Sequence, residues 1–122
     1  MINFLAVGLG GFLGAAARYG ICVLMVSKVG LSSAWGTLAV NFAGCFMIGI
    51  LAGFEFRNLQ PLKLFLMTGV LGGFTTFSAF GLDFVALLKD SGMFKAALYV
   101  FATLFCGFIS VYAGFELSKI MR

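Results

Sequence analysis

The chain has 122 residues, of which 62% are hydrophobic and only 10% charged, with a formal net charge of +4. A soluble domain carries charge at about a quarter of its positions, so water is not the main solvent here and no soluble catalytic domain fits beside the apolar stretches. No hydrophilic tail is present to bind nucleic acid, and the chain has no His and no CxxC, which excludes the ordinary zinc and haem ligand sets.

Four apolar stretches, at 4–26, 35–56, 62–88 and 94–117, each reach the roughly 20 residues that cross hydrocarbon. Residues 1–122 therefore read as a single all-α domain of four transmembrane helices. In the first span no Lys or Arg precedes Arg18, so it lacks the positive start of a secretory signal and is expected to be retained. Gly10, Gly14 and Arg18 are four apart, and the span contains no Asp or Glu. Arg18 lies deeper in its span than the other basic residues. It reads either as a vestibule charge that attracts an anion or as a side chain that snorkels to the interface.

The second span carries Asn41, Cys45, Gly49 and Gly53 on one ladder. Small residues four apart let helices approach closely in lipid. Asn41 is either interhelical glue or an amide donor to a dehydrated anion. Cys22, Cys45 and Cys106 read as small buried hydrophobes.

The third span holds the run Gly69-Val70-Leu71-Gly72-Gly73-Phe74-Thr75-Thr76-Phe77-Ser78-Ala79-Phe80. Gly72-Gly73 predicts a broken helix, because glycine reaches conformations closed to other residues. A break there frees carbonyls between Gly72 and Thr75, which suit a dehydrated cation such as sodium. Thr75, Thr76 and Ser78 add oxygens, while Phe77, Phe80 and Phe84 fall on one face. The positive edges of aromatic rings suit a small, hard anion. The plainer alternative is a Gly-kinked helix with a Phe packing face. Asp83 is expected to face a wet vestibule. The fourth span shows a stripe of Tyr99, Thr103, Cys106 and Ser110, which either solvates something moving along it or bonds back to carbonyls one turn earlier. Glu55 and Glu116 sit near span ends.

Four spans put Arg57, Lys63, Lys119 and Arg122 on one side, and Lys28, Lys89, Lys95 and the nearby Arg18 on the other. Orientation normally follows an excess of Lys and Arg in cytoplasmic loops, and here the two sides are level. Either both orientations insert and pair antiparallel, or the insertion machinery fixes one of them.

Three motifs carry a family resemblance. They are Gly10-Gly11-Phe12-Leu13-Gly14-Ala15-Ala16-Ala17-Arg18-Tyr19, Gly36-Thr37-Leu38-Ala39-Val40-Asn41-Phe42-Ala43-Gly44 and Gly72-Gly73-Phe74-Thr75-Thr76-Phe77-Ser78. In this order, across the whole chain, they resemble the signatures of the Fluc (CrcB) fluoride channels. The resemblance implies a dual-topology antiparallel homodimer in the bacterial inner membrane. That dimer would have two fluoride pores and a structural sodium ion at its interface. It implies that Phe77 and Phe80 line the pores, that Asn41 faces the fluoride path, and that Thr76 and Ser78 are the polar positions beside the Phe pair. It implies that Thr103 and Ser110 continue the pore on the last span, although Cys106 and Gly107 interrupt the hydroxyls. Arg18 matches the family's vestibule residue, and the resemblance implies that carbonyls of Gly72 and Thr75 from both subunits hold the sodium. Ala79 stands where the family run often has Thr, which leaves the spacing of the Phe pair intact.

The function so implied is passive export of cytoplasmic fluoride, with no enzyme activity and no P-loop. A small proton-coupled drug exporter shares the size and level charges, but it needs an acid deep in the first span. A non-transporting membrane subunit would need neither a broken span nor the aligned Asn and Phe residues.

Overall fold

A computed structural model describes residues 1–30 and 32–121. Arg122, counted above among the basic residues, lies outside the described residues. The described chain is all-helical. Helix α1 is Ile2–Val29, α2 is Ser33–Ala52, and α6 is Met93–Ile120. Between α2 and α6 a third span, Gln60–Ser91, is built from α3 (Gln60–Lys63), a π-helical run (Leu64–Leu71), α4 (Gly72–Phe74) and α5 (Phe77–Ser91). Four units are thus long and apolar enough to cross a membrane. At 1.5 Å per residue the 28 residues of α1 and of α6 span about 40 Å, more than the ~30 Å of hydrocarbon. Their ends reach the headgroups, where Lys28 and Lys119 sit in the last turns.

The turns are made by the residues that permit them. Gly30 closes α1 in the left-handed region at φ 69. Gly92 at φ 85 is at once the last cap of α5 and the first cap of α6, so the chain reverses in one residue. The second span ends at Ala52 rather than at 56, because Gly53 and Phe54 turn back onto the Ile50 and Leu51 carbonyls.

Little of the apolar surface is buried within one chain. Val40, Leu71, Phe74 and Phe80 form the small core, while Phe4, Phe12, Phe94 and Phe108 are exposed, as lipid-facing side chains are. Cohesion comes from backbone approach. In the closest pairs α1 lies on the third span and α2 on α6. A Cβ on Gly10 would lie 2.9 Å from the Gly69 Cα, and one on Gly73 would lie 3.1 Å from the Ala15 nitrogen. A Cβ on Gly49 would meet Val111 and Phe115, and one on Gly114 would meet Phe46 and Ile50. The ladders of small residues are the seams of the bundle. Without a hydrophobic drive between helices in lipid, such contact is the main source of packing energy.

Candidate functional site

The irregular stretch of the third span lies three residues beyond the expected place. Gly72 and Gly73 are helical, Gly72 at φ −64 and ψ −36. Extended backbone occurs at Thr75 (φ −82, ψ 156) and Thr76 (φ −150, ψ 123). The reason is chemical rather than conformational. Thr75 ends the incoming helix, its N–H and its hydroxyl both donating to the Leu71 carbonyl at 3.0 and 2.9 Å. Thr76 caps α5, its hydroxyl accepting from the Ala79 N–H at 3.2 Å. Gly73 is glycine because α1 presses against it.

Two side chains from other helices occupy groups that the irregular stretch releases. The Asn41 Nδ2 donates to the Thr76 carbonyl at 2.9 Å, and the Thr76 N–H donates to the Asn41 Oδ1 at 2.7 Å. The Asn41 amide thus pairs with the Thr76 backbone as a neighbouring strand would. From α1, the Arg18 Nε donates to the Gly73 carbonyl at 3.2 Å. Arg18 is therefore directed at the third span, one turn beyond Gly14 on the same seam. An amide has two N–H bonds, so Asn41 keeps one donor beyond the clamp.

Among the described residues the carbonyl of Thr75, which lies outside both flanking helices, accepts no hydrogen bond. Gly72 is exposed and Thr75 half-buried. Free peptide oxygens with no carboxylate, imidazole or thiolate cluster among the described residues are a donor set for a hard, singly charged cation. The free Thr75 carbonyl is a donor of the kind that suits such an ion.

Beside the stretch lies a cavity of about 270 Å³, whose walls include Asn41, Thr75, Thr76, Phe77 and Thr103. The structure thus gathers residues from α2, the third span and α6 at one place. Thr103 brings a buried hydroxyl oxygen that makes no hydrogen bond of good geometry, although the Tyr99 hydroxyl one turn earlier lies close to it. Phe80 lies behind Phe77 at 5.5 Å between ring centroids, and Tyr99 follows Phe80 at 5.5 Å. Phe77 is 80% exposed and Phe80 8%, so the two rings differ in what they offer a neighbour. The Ser78 hydroxyl is 3.3 Å from that of Thr76.

Not every sequence candidate joins this wall. Ser110 is turned into its own helix, donating to the Cys106 carbonyl at 2.7 Å. Asp83 does not face an open vestibule. It is 6% exposed and accepts from the Ser33 hydroxyl at 2.7 Å and from the Tyr99 hydroxyl at 3.3 Å. Cys45, read from the sequence as a small buried hydrophobe, lines the cavity one turn after Asn41, and Gly107, read as an interruption of the hydroxyl stripe, lines the facing wall, where its missing side chain leaves room. The i, i+4 spacing from Asn41 was the available signal for Cys45.

A family profile described as "CrcB-like protein, Camphor Resistance (CrcB)" matches residues 5–115. The fluoride-specific ion channel FluC of Agrobacterium fabrum is 43% identical over 122 residues, covering 98% of each chain. The FluC protein of Rhizobium meliloti is 41% identical over 124 residues, 99% of each chain. That of Thermus thermophilus is 40% identical over 119 residues, 96% of this chain and 95% of the relative.

Proposed function

Because the chain belongs to the CrcB-like family, we propose that it is a fluoride-specific ion channel of a bacterial membrane, conducting cytoplasmic fluoride outward and so conferring fluoride resistance. The observation that carries the reading is the arrangement at Thr75–Thr76. Asn41, Phe77 and Thr103, from three different spans, line one cavity beside the Thr75 carbonyl, which has no hydrogen-bond partner. A channel of this kind makes and breaks no covalent bond. Fluoride enters cells as the neutral acid, ionises at the higher internal pH and is trapped, and a selective pore lets the membrane potential drive the anion out. The exporter reading lacks its acid, since α1 contains no Asp or Glu.

The working unit in this reading is a dual-topology antiparallel homodimer with two pores, the third span of each copy broken at Thr75–Thr76. What supports pairing is the exposed polar surface at membrane depth, Ser78 and Gly72 included; lipid cannot satisfy such groups. Carbonyls of Gly72 and Thr75 from two copies would hold the sodium ion. When bound, it supplies a fixed positive charge that offsets the cost of an anion in low dielectric. Asn41 then has two tasks, fixing Thr76 with one N–H and presenting the other toward the anion. Phe77 and Phe80 line the path with ring edges, Thr76, Ser78 and Thr103 add hydroxyls, Ser110 braces α6 beside them, and Arg18 holds the Gly73 carbonyl. Selectivity against chloride follows from a close-packed wall that cannot widen for a larger ion.

Liposomes containing only this protein test the reading. Fast fluoride efflux with negligible chloride efflux is expected, and Phe80→Ile should abolish it while the protein still elutes as a folded dimer. Equal efflux of both anions, or wild-type flux in Phe80→Ile, would contradict it. Thr103→Val tests the hydroxyl separately. A buried hydroxyl without a hydrogen bond of good geometry costs about 1–3 kcal/mol, so the isosteric Val should raise the melting midpoint while fluoride flux falls about ten-fold, because one charge-assisted hydrogen bond is lost. Unchanged flux with raised stability would remove Thr103 from the path.

A further inference from the structure

A second, larger cavity of about 650 Å³ opens away from the site, between the start of α2, the end of α5 and the first half of α6. Its outer rim is Ser32, Ser91 and Lys95, and its wall is apolar, with Trp35, Leu38, Leu98 and Ala102. Ser32 and Ser91 stand at helix ends, whereas Leu38 is six residues beyond Ser32 and Ala102 seven beyond Lys95. At 1.5 Å per residue the groove therefore runs about 10 Å from the polar rim into the apolar layer.

The charges at this end are paired less fully than those at the other, where Lys63 alone of the described basic side chains lacks an ion-pair partner. Glu55 pairs with Arg57 at 2.9 Å and Glu116 with Lys119 at 2.7 Å. These are the ion pairs among the described residues, and both lie where α2 ends and α6 ends. At the groove end Lys28, Lys89 and Lys95 are all exposed and have no ion-pair partner, against one exposed carboxylate, Asp90. The other acid nearby, Asp83, is buried, with both oxygens occupied by Ser33 and Tyr99. Trp35 is 56% exposed at the depth where indole rings sit among headgroups.

We propose that this groove binds one anionic phospholipid, its phosphate at Lys95, Ser32 and Ser91 and one acyl chain along Trp35, Leu38 and Leu98. A zwitterionic lipid brings its own cation to the lysines, whereas an anionic one does not. One lysine near the surface favours the anionic lipid by about five-fold. The inference does not depend on the transported ion.

Trp35 is the only Trp of the chain, so its fluorescence reports on this groove. The full chain is reconstituted in phosphatidylcholine vesicles, and acyl-brominated phosphatidylglycerol or acyl-brominated phosphatidylcholine is added at equal mole fraction. Brominated phosphatidylglycerol should displace unlabelled lipid next to Trp35 about five-fold more effectively. Lys95→Gln should bring that ratio close to one, while Lys63→Gln at the opposite end should leave it unchanged. Equal quenching by both lipids, a ratio that survives Lys95→Gln, or no quenching by either lipid because a second copy covers Trp35, would each overturn the proposal.

Discussion

Gly14→Ala lowers the melting midpoint by at least about 10 °C, whereas Gly20→Ala, the same substitution six residues on, leaves it unchanged or slightly raised. Both glycines are interior to α1, where Ala is the better helix former. Local propensity alone would make both substitutions favourable. What separates them is the seam. A Cβ on Gly14 would collide with the Val70 carbonyl oxygen and lie 2.8 Å from the Phe74 nitrogen, while a Cβ on Gly20 meets nothing within 4 Å. The atoms in the way are backbone and cannot change rotamer, so α1 and the third span must part. Overpacking of this kind costs about 3 kcal/mol or more. Parting them also carries Arg18 away from the Gly73 carbonyl, and the Thr75–Thr76 geometry goes with it. Fluoride flux should therefore fall together with stability. Thermal scans followed by size exclusion in detergent check this, and equal midpoints for Gly14→Ala and the parent would mean that the seam is not what holds α1 in place.

The contrast shows which parts of the molecule were legible in the sequence. Span number, span length and the ladders were, because a bilayer imposes them through two simple rules: enough apolar residues to cross, and small residues where backbones touch. Gly10, Gly14, Gly49, Gly69, Gly73 and Gly114 all lie where that spacing put them. The same glycines misled at Gly72-Gly73. Two adjacent glycines suggest conformational freedom, yet here they are helical and Gly73 is needed for approach. The departure from helix is set instead by Thr76 as a cap and by Asn41, which is 35 residues away in sequence. No local pattern reports a partner at that distance. The π-helical run Leu64–Leu71 left no mark in a uniformly apolar stretch either. On α6 the stripe of polar residues was visible, but spacing could not distinguish the Ser110 hydroxyl, spent on the Cys106 carbonyl, from the Thr103 hydroxyl, which makes no hydrogen bond of good geometry.

Asn41 is where the second large effect is expected. Asn41→Leu keeps the volume but leaves the Thr76 N–H and carbonyl without partners at a depth where lipid offers none. At about 1–3 kcal/mol for each group, with 1.4 kcal/mol equal to a factor of ten, flux should drop at least about a hundred-fold and the melting midpoint should fall. Asn41→Asp separates the two tasks assigned to this side chain. One carboxylate oxygen still accepts from the Thr76 N–H, but the other now faces the Thr76 carbonyl across the 2.9 Å that a hydrogen bond had spanned. Two acceptors repel at that distance, and a negative charge stands on the cavity wall. Protonation of the introduced carboxyl restores a donor, so the stability of Asn41→Asp should rise as pH falls while that of the parent does not. The restored acid has a single O–H, and the clamp consumes it. Acid should therefore recover the fold of Asn41→Asp without recovering fluoride flux, since no second donor is left for the anion. Recovery of both at low pH would mean that the clamp is the whole role of Asn41. Full stability of Asn41→Leu would mean that the clamp is not needed at all.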